Sequence, residues 1–153
     1  MSDAAVIQLC NAVADTITAA GVISGAPAGS PVTAVVAFVP EYELAELDDA
    51  KVTVVPAAED RQLHGRKAYE VGYAVDVAVH SRSGENADTA ALIGAVEQLA
   101  DLLASSEIDI GGQRVGRPTR VRIDPLFSPE LLREKRTFLS VIRAVYPAVR
   151  PTT

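Results

Sequence analysis

Residues 69–81, YEVGYAVDVAVHS, alternate by parity. Tyr69, Val71, Tyr73, Val75, Val77 and Val79 fall on one side; Glu70, Gly72, Ala74, Asp76, Ala78 and His80 fall on the other. Period two with one apolar side predicts a strand with one buried face. Two β-branched runs precede it. PVTAVVAFVP, bounded by prolines, predicts a strand over about 32–39, and KVTVVP predicts a second, stopped at Pro56 because proline lacks the donor a ladder requires. AAEDRQLHGRK between them and the 69–81 strand reads as a polar connection, so neighbouring antiparallel strands joined by a long hairpin are expected. Thr119–Ile123 predicts a fourth strand. TFLSVIRAVYP is apolar on both parities, as in a central strand covered on both sides.

Other segments repeat at three and four. Val6, Leu9, Val13 and Ile17 predict an amphipathic helix over 4–20, with Ser2 or Asp3 as its cap and Gly21 as the left-handed residue that ends it. Leu92, Ile93, Val96, Leu99, Ala100 and Leu103 form an apolar stripe opposite Glu97 and Asp101, predicting a helix over 86–105 capped by Asn86 or Asp88. SPELLREK predicts a short helix with Ser128 at the cap and Pro129 at its first position. GVISGAPAGSP and DIGGQRVGRP read as loops. The order α-β-β-β-α-β-α-β predicts an α+β fold in which two main helices pack on a mostly antiparallel sheet.

At 153 residues, with 48% hydrophobic composition, the chain is expected to form one domain with a proper core. Its apolar runs fall well short of the roughly 18 residues a spanning helix needs, so no membrane is expected. The opening MSDAAVIQLC lacks the basic start of a secretory signal, and the single Cys10 allows no internal disulfide. A cytosolic origin is the default expectation.

The net charge of −6 conceals an asymmetry. Residues 1–50 hold seven acids and no Lys or Arg, whereas residues 111–153 hold nine bases and three acids. This suits contacts between unlike surfaces, a nucleic-acid patch, or neutralisation within the fold. Acids cluster at Glu43, Glu46, Asp48 and Asp49. Bases cluster at Arg114, Arg117, Arg120 and Arg122, and again at Arg133, Lys135 and Arg136. No aromatic residue interleaves Arg114–Arg122, as single-strand binding by stacking would require.

No residue set points to a reaction, cofactor or metal. Asp76 and His80 share a strand face, but four residues of strand span roughly 13 Å, too far for an acid–base hydrogen bond. Their ordinary reading is a solvent face. His64 is isolated beside Gly65 in LHGRK. GGQRVG lacks both the GxGxxG spacing and a Lys-Ser/Thr ending, so a turn is expected there. Cys10, inside the first helix, reads as a buried thiol.

Three stretches together carry a resemblance: VTVVPAAEDRQL (52–63), the Tyr-Glu-Val…Val-Asp-Val strand (69–77) and DPLFSPELLREKRTFLSVIRAVY (124–146). The chain resembles the tail terminator, or tail completion, proteins of long-tailed phages and prophages. The Ala-rich N-terminal third lies outside the resemblance. It implies an α/β fold and a hexameric ring on the end of the tail tube, without enzymatic activity or cofactor. It also implies contacts with the tail tube protein and the head-tail connector or neck, DNA passing only through the lumen, and a place in the virion after assembly in the host cytoplasm. Another neck or head-completion protein, or a small α+β ligand-binding or enzymatic domain, remains open. In a ring, the acidic residues at 43–49 and Arg114, Arg117, Arg120 and Arg122 are the candidate subunit or partner surfaces. Head-to-tail contacts join two different patches of one protein.

Overall fold

The computed structural model describes residues 4–22, 24–25, 30–31, 33–38, 50–63, 65–66, 68–83, 86–110 and 113–151. Its elements are α1 (Ala5–Ala20), β1 (Ser24–Gly25), β2 (Ser30–Pro31), β3 (Ala34–Val36), β4 (Lys51–Leu63), β5 (Ala68–Arg82), α2 (Asn86–Ser105), β6 (Ile108–Ile110), β7 (Gln113–Gly116), β8 (Arg120–Ile123), α3 (Pro129–Lys135) and β9 (Thr137–Pro151). Five strands form the main sheet in the order β3-β4-β5-β9-β8. This is the expected α+β class.

The β5 alternation orders the core. Val71, Tyr73, Val75, Val77 and Val79 are buried on one face, joined by Val52 and Val54 of β4 and by Phe138, Ile142, Ala144 and Tyr146 of β9. α1 lies over β3 and β4 with Leu9, Cys10, Val13 and Ile17 buried. α2 lies over β9 and β8 through Val96, Leu99, Ala100 and Leu103. Leu92 and Ile93 of the predicted stripe are half-buried.

Helix ends follow local chemistry. Gly21 ends α1 with φ 62° and ψ 32°, its N–H donating to the Ile17 carbonyl. The start differs from expectation: Ala4 stands at the cap without a side-chain acceptor, while Ser2 and Asp3 lie outside the described residues. Asn86 and Asp88 both fall within the first turn of α2 rather than before it, where Asp88 complements the positive end of the helix. Ser128 caps α3 by accepting from the Leu131 N–H, and Pro129 opens it, as predicted.

Four strand expectations are corrected. Pro56 does not stop β4: the register shifts between Pro56 and Ala58, and the strand continues to Leu63. A bulge is one of the few places where a sheet accepts proline. Much of the polar connection is therefore ladder, with Arg61 opposite Val71 and Leu63 opposite Tyr69. β3 pairs with β4 in parallel, Ala34 beside Val52 and Val36 beside Val54, which needs the longer connection that residues 37–50 supply. DIGGQRVGRP contributes the β6–β7 hairpin, whose Ile108, Ile110 and Val115 enter the core. Within GVISGAPAGSP, β1 and β2 form a two-residue ladder. β5 and β9 pair over all 15 residues of each strand, from Ala68 opposite Pro151 to Arg82 opposite Thr137. β9 is an interior strand, fourth of five, but it is not covered on both sides as expected: Phe138, Ile142, Ala144 and Tyr146 are buried, whereas on the other parity Val141 and Val145 are half-buried and Arg143 is exposed.

Candidate functional site

The second face of the main sheet carries Asp76 and Arg122, both singled out above, together with Arg143. The ladder sets Asp76 of β5 opposite Arg143 of β9, and Arg143 opposite Arg122 of the edge strand β8. Arg143 grips Asp76 with both arms of its guanidinium, Nε donating to Oδ1 at 2.8 Å and Nη2 to Oδ2 at 3.0 Å. This contact raises the Arg143 pKa. Arg122 lies 2.9 Å from the Asp124 carboxylate. Two like charges facing each other across β8 and β9 are thereby each neutralised by an acid. These four residues and Val141 line a cavity of about 260 Å³.

Asp76 and His80 do not form a pair, because Asp76 is committed to Arg143. Nor is their face simply solvent-exposed: Ala78 between them and Ala74 beyond Asp76 are buried, and Asp76 and His80 are half-buried. Burial lowers the His80 pKa, which favours neutral imidazole. Arg143 was not among the residues that stood out in the sequence, since 67 positions separate it from Asp76. Strand parity was the available signal: Arg143 is the one charge within the apolar run of β9.

A larger groove of about 590 Å³ runs along the sheet where Gly72 of β5 meets Val145 and Pro147 of β9, rimmed by Asp60, Glu70 and Thr119. Val145 Cγ1 stands 3.7 Å from where a Cβ on Gly72 would lie, so the groove floor is close-packed but unstrained.

The basic candidates converge only in part. Arg117, Arg120 and Arg122 are exposed on or beside β8. Arg114 belongs to β7, in the separate small sheet. Arg133, Lys135 and Arg136 are exposed on α3 and its cap. Glu43, Glu46, Asp48 and Asp49 lie outside the described residues, as does His64. In the GGQRVG run, Gln113–Gly116 form β7 rather than a turn, and Gly111 and Gly112 lie outside the described residues.

Burial holds the Cys10 thiol at a pKa of about 11, so it stays protonated near neutrality. Among the described residues no group of three or more His, Cys, Asp or Glu gathers to hold a metal ion. No described helix is long and apolar enough to cross a membrane. The arrangement supplies paired charges on an extended sheet face, which suits recognition of another surface.

No family model matches this chain, and no curated protein matches it. Among solved structures it is similar to a chain from the virion of a native gene transfer agent particle. That likeness has 22% identity and a TM-score of 0.48, covering 95% of this chain and 100% of that one.

Proposed function

We propose that this chain is a structural virion protein of a phage or prophage, forming a ring that caps the tail tube, ends its elongation and presents the head-joining surface. The observation that carries this reading is spatial. The three stretches that resemble tail terminator proteins, separated in sequence, coincide with β4, with most of β5, and with the segment containing α3 and most of β9. Those strands are consecutive in one sheet. The resemblance thus follows a contiguous structural unit rather than scattered matches. Charges neutralised in pairs on the sheet face accord with a non-enzymatic, docking role.

In this reading the ring is homo-oligomeric, most simply hexameric, with the tail tube protein on one side, the connector or neck protein on the other, and DNA passing through the lumen. Acidic residues Glu43, Glu46, Asp48 and Asp49 of one subunit face Arg114, Arg117, Arg120 and Arg122 of the next. Exposed pairs contribute only about 0–1 kcal/mol each, so these charges set register and orientation while apolar burial supplies affinity.

The test is genetic and structural. Disrupting the gene should give tails of uncontrolled length that fail to join heads, with labelled protein found at the head-proximal tail end of complemented particles. Reversing Glu46 and Asp48 to Lys, or Arg120 and Arg122 to Glu, should each impair capping, and combining them should partly restore it. Normal tails in the disrupted strain, with no protein in purified particles, would sink the reading. Normal tail length with label on the connector would move the protein to the neck.

A further inference from the structure

Gly72 stands inside β5, where a glycine weakens a strand because it has no side chain to pack. The backbone does not call for one, since Gly72 is not among the glycines with positive φ. Packing does not call for one either: a Cβ at this position would meet only Val145 Cγ1, at an ordinary contact distance of 3.7 Å. The glycine therefore weakens the sheet without serving the fold. What it does leave is the open floor of the 590 Å³ groove. A glycine inside a strand often marks a place where a ligand or another chain comes close.

The walls of the groove say what kind of group that is. Asp60 lies directly opposite Gly72 on β4, and Pro147 directly opposite it on β9. Opposed residues share a sheet face, as do residues two apart on one strand, so Asp60, Glu70, Gly72, Val145 and Pro147 line one groove together. Glu70 is the diagonal neighbour of Asp60, a separation of about 7–8 Å. Both side chains are exposed, and neither makes an ion pair among the described residues. Arg61, the one base along the groove, lies on the opposite parity and is held by Glu59 at 3.3 Å. The Thr119 hydroxyl at the β9 side donates to the Val145 carbonyl at 3.2 Å.

We propose that this groove receives a lysine or arginine side chain from a partner protein, laid over Gly72 with its cationic head between Asp60 and Glu70. Two carboxylates without a base of their own attract a cation and repel an anion. The floor of Gly72, Val145 and Pro147 suits the apolar stem of a long side chain, which such residues lay on apolar surface while the charged head stays in polar surroundings. No third acid joins the two to hold a metal ion. The site is separate from the ring reading, which neither supports it nor depends on it.

The experiment titrates isotope-labelled protein, at neutral pH and low salt, with a capped pentapeptide of alanines around a central arginine, and reads amide chemical shifts. Shifts should centre on Asp60, Glu70 and Gly72 and should saturate. The same peptide with glutamine at its centre should bind more weakly by about tenfold or more. Asp60→Asn combined with Glu70→Gln, at two exposed positions, should keep the parent's urea midpoint and weaken binding to the same extent. Gly72→Val is the decisive variant, because it fills the floor and changes no charge. It should weaken binding by about tenfold or more while its urea midpoint stays at or above the parent's. Should it misfold, Gly72→Ala replaces it, with a smaller loss in the same direction. The absence of saturable shifts at Gly72 in millimolar peptide, or equal binding of the glutamine peptide, overturns the proposal. So does an affinity that Gly72→Val, or its replacement, leaves unchanged, since the peptide is then drawn only to the general negative charge of the protein.

Discussion

Tyr146 offers an unusually direct test of the core. Its ring and that of Tyr73 face each other across β5 and β9, both fully buried, and neither hydroxyl finds a hydrogen-bond partner among the described residues. A buried hydroxyl without a partner costs about 1–3 kcal/mol. Tyr146→Phe removes that cost and loses a little packing, so it should stabilise the protein by about 1 kcal/mol at neutral pH. Burial also disfavours the phenolate, raising the Tyr146 pKa from 10.0 to about 12. The sign follows from proton counting. Between pH 10 and 12 the unfolded chain releases this proton before the folded one does, so its contribution is intact below pH 10 and lost as pH rises towards 12. Two pKa units correspond to about 2.7 kcal/mol in all, of which about 1.4 kcal/mol is lost by pH 11. Urea denaturation of parent and Tyr146→Phe at pH 8, 10 and 11 checks this, because other titrating groups cancel in the difference. The advantage of the Phe variant should widen by about 1.4 kcal/mol between pH 8 and 11. A gap that stays constant, or a Phe variant weaker than the parent at pH 8, would refute the reasoning.

Other perturbations have defined outcomes. Leu99, fully buried on α2, should cost about 2–5 kcal/mol when changed to Ala, whereas half-buried Leu102→Ala should cost clearly less in the same urea titration. His80 has a lowered pKa, so the parent should lose stability as pH falls from 6.5 through the folded-state value, and His80→Gln should flatten that decline. Asp76→Asn should cost about 1 kcal/mol or less, since Arg143 is half-exposed and screened. A loss of several kcal/mol would show that the pair anchors the sheet.

What the sequence revealed was local. The β5 alternation, the α2 stripe, the Gly21 stop and the Ser128–Pro129 start each depend on residues within a turn or two. Pro56 misled because the bulge that accommodates it is a property of the β4–β5 pairing, not of β4. The small β6–β7 hairpin was hidden because its two glycines resemble an ordinary loop and its strands are too short to show a period. The parallel placement of β3 depends on long-range contacts that local pattern does not carry, among them the Ala34 N–H donating to Thr18 Oγ1 of α1. The charged face was half legible: parity put Asp76 there, but only sheet order identified Arg143 as its partner.

The position of β9 has a consequence for synthesis. β9, which follows every other described strand in the chain, lies inside the sheet between β5 and β8 and contributes Phe138, Ile142 and Tyr146 to the core. Until residues 137–151 have left the ribosome, β5 has one bare edge, β8 has no neighbour and α2 has little to pack on. Such long-range pairing closes late and slowly. A nascent chain stalled before β9 therefore displays apolar surface to chaperones and proteases.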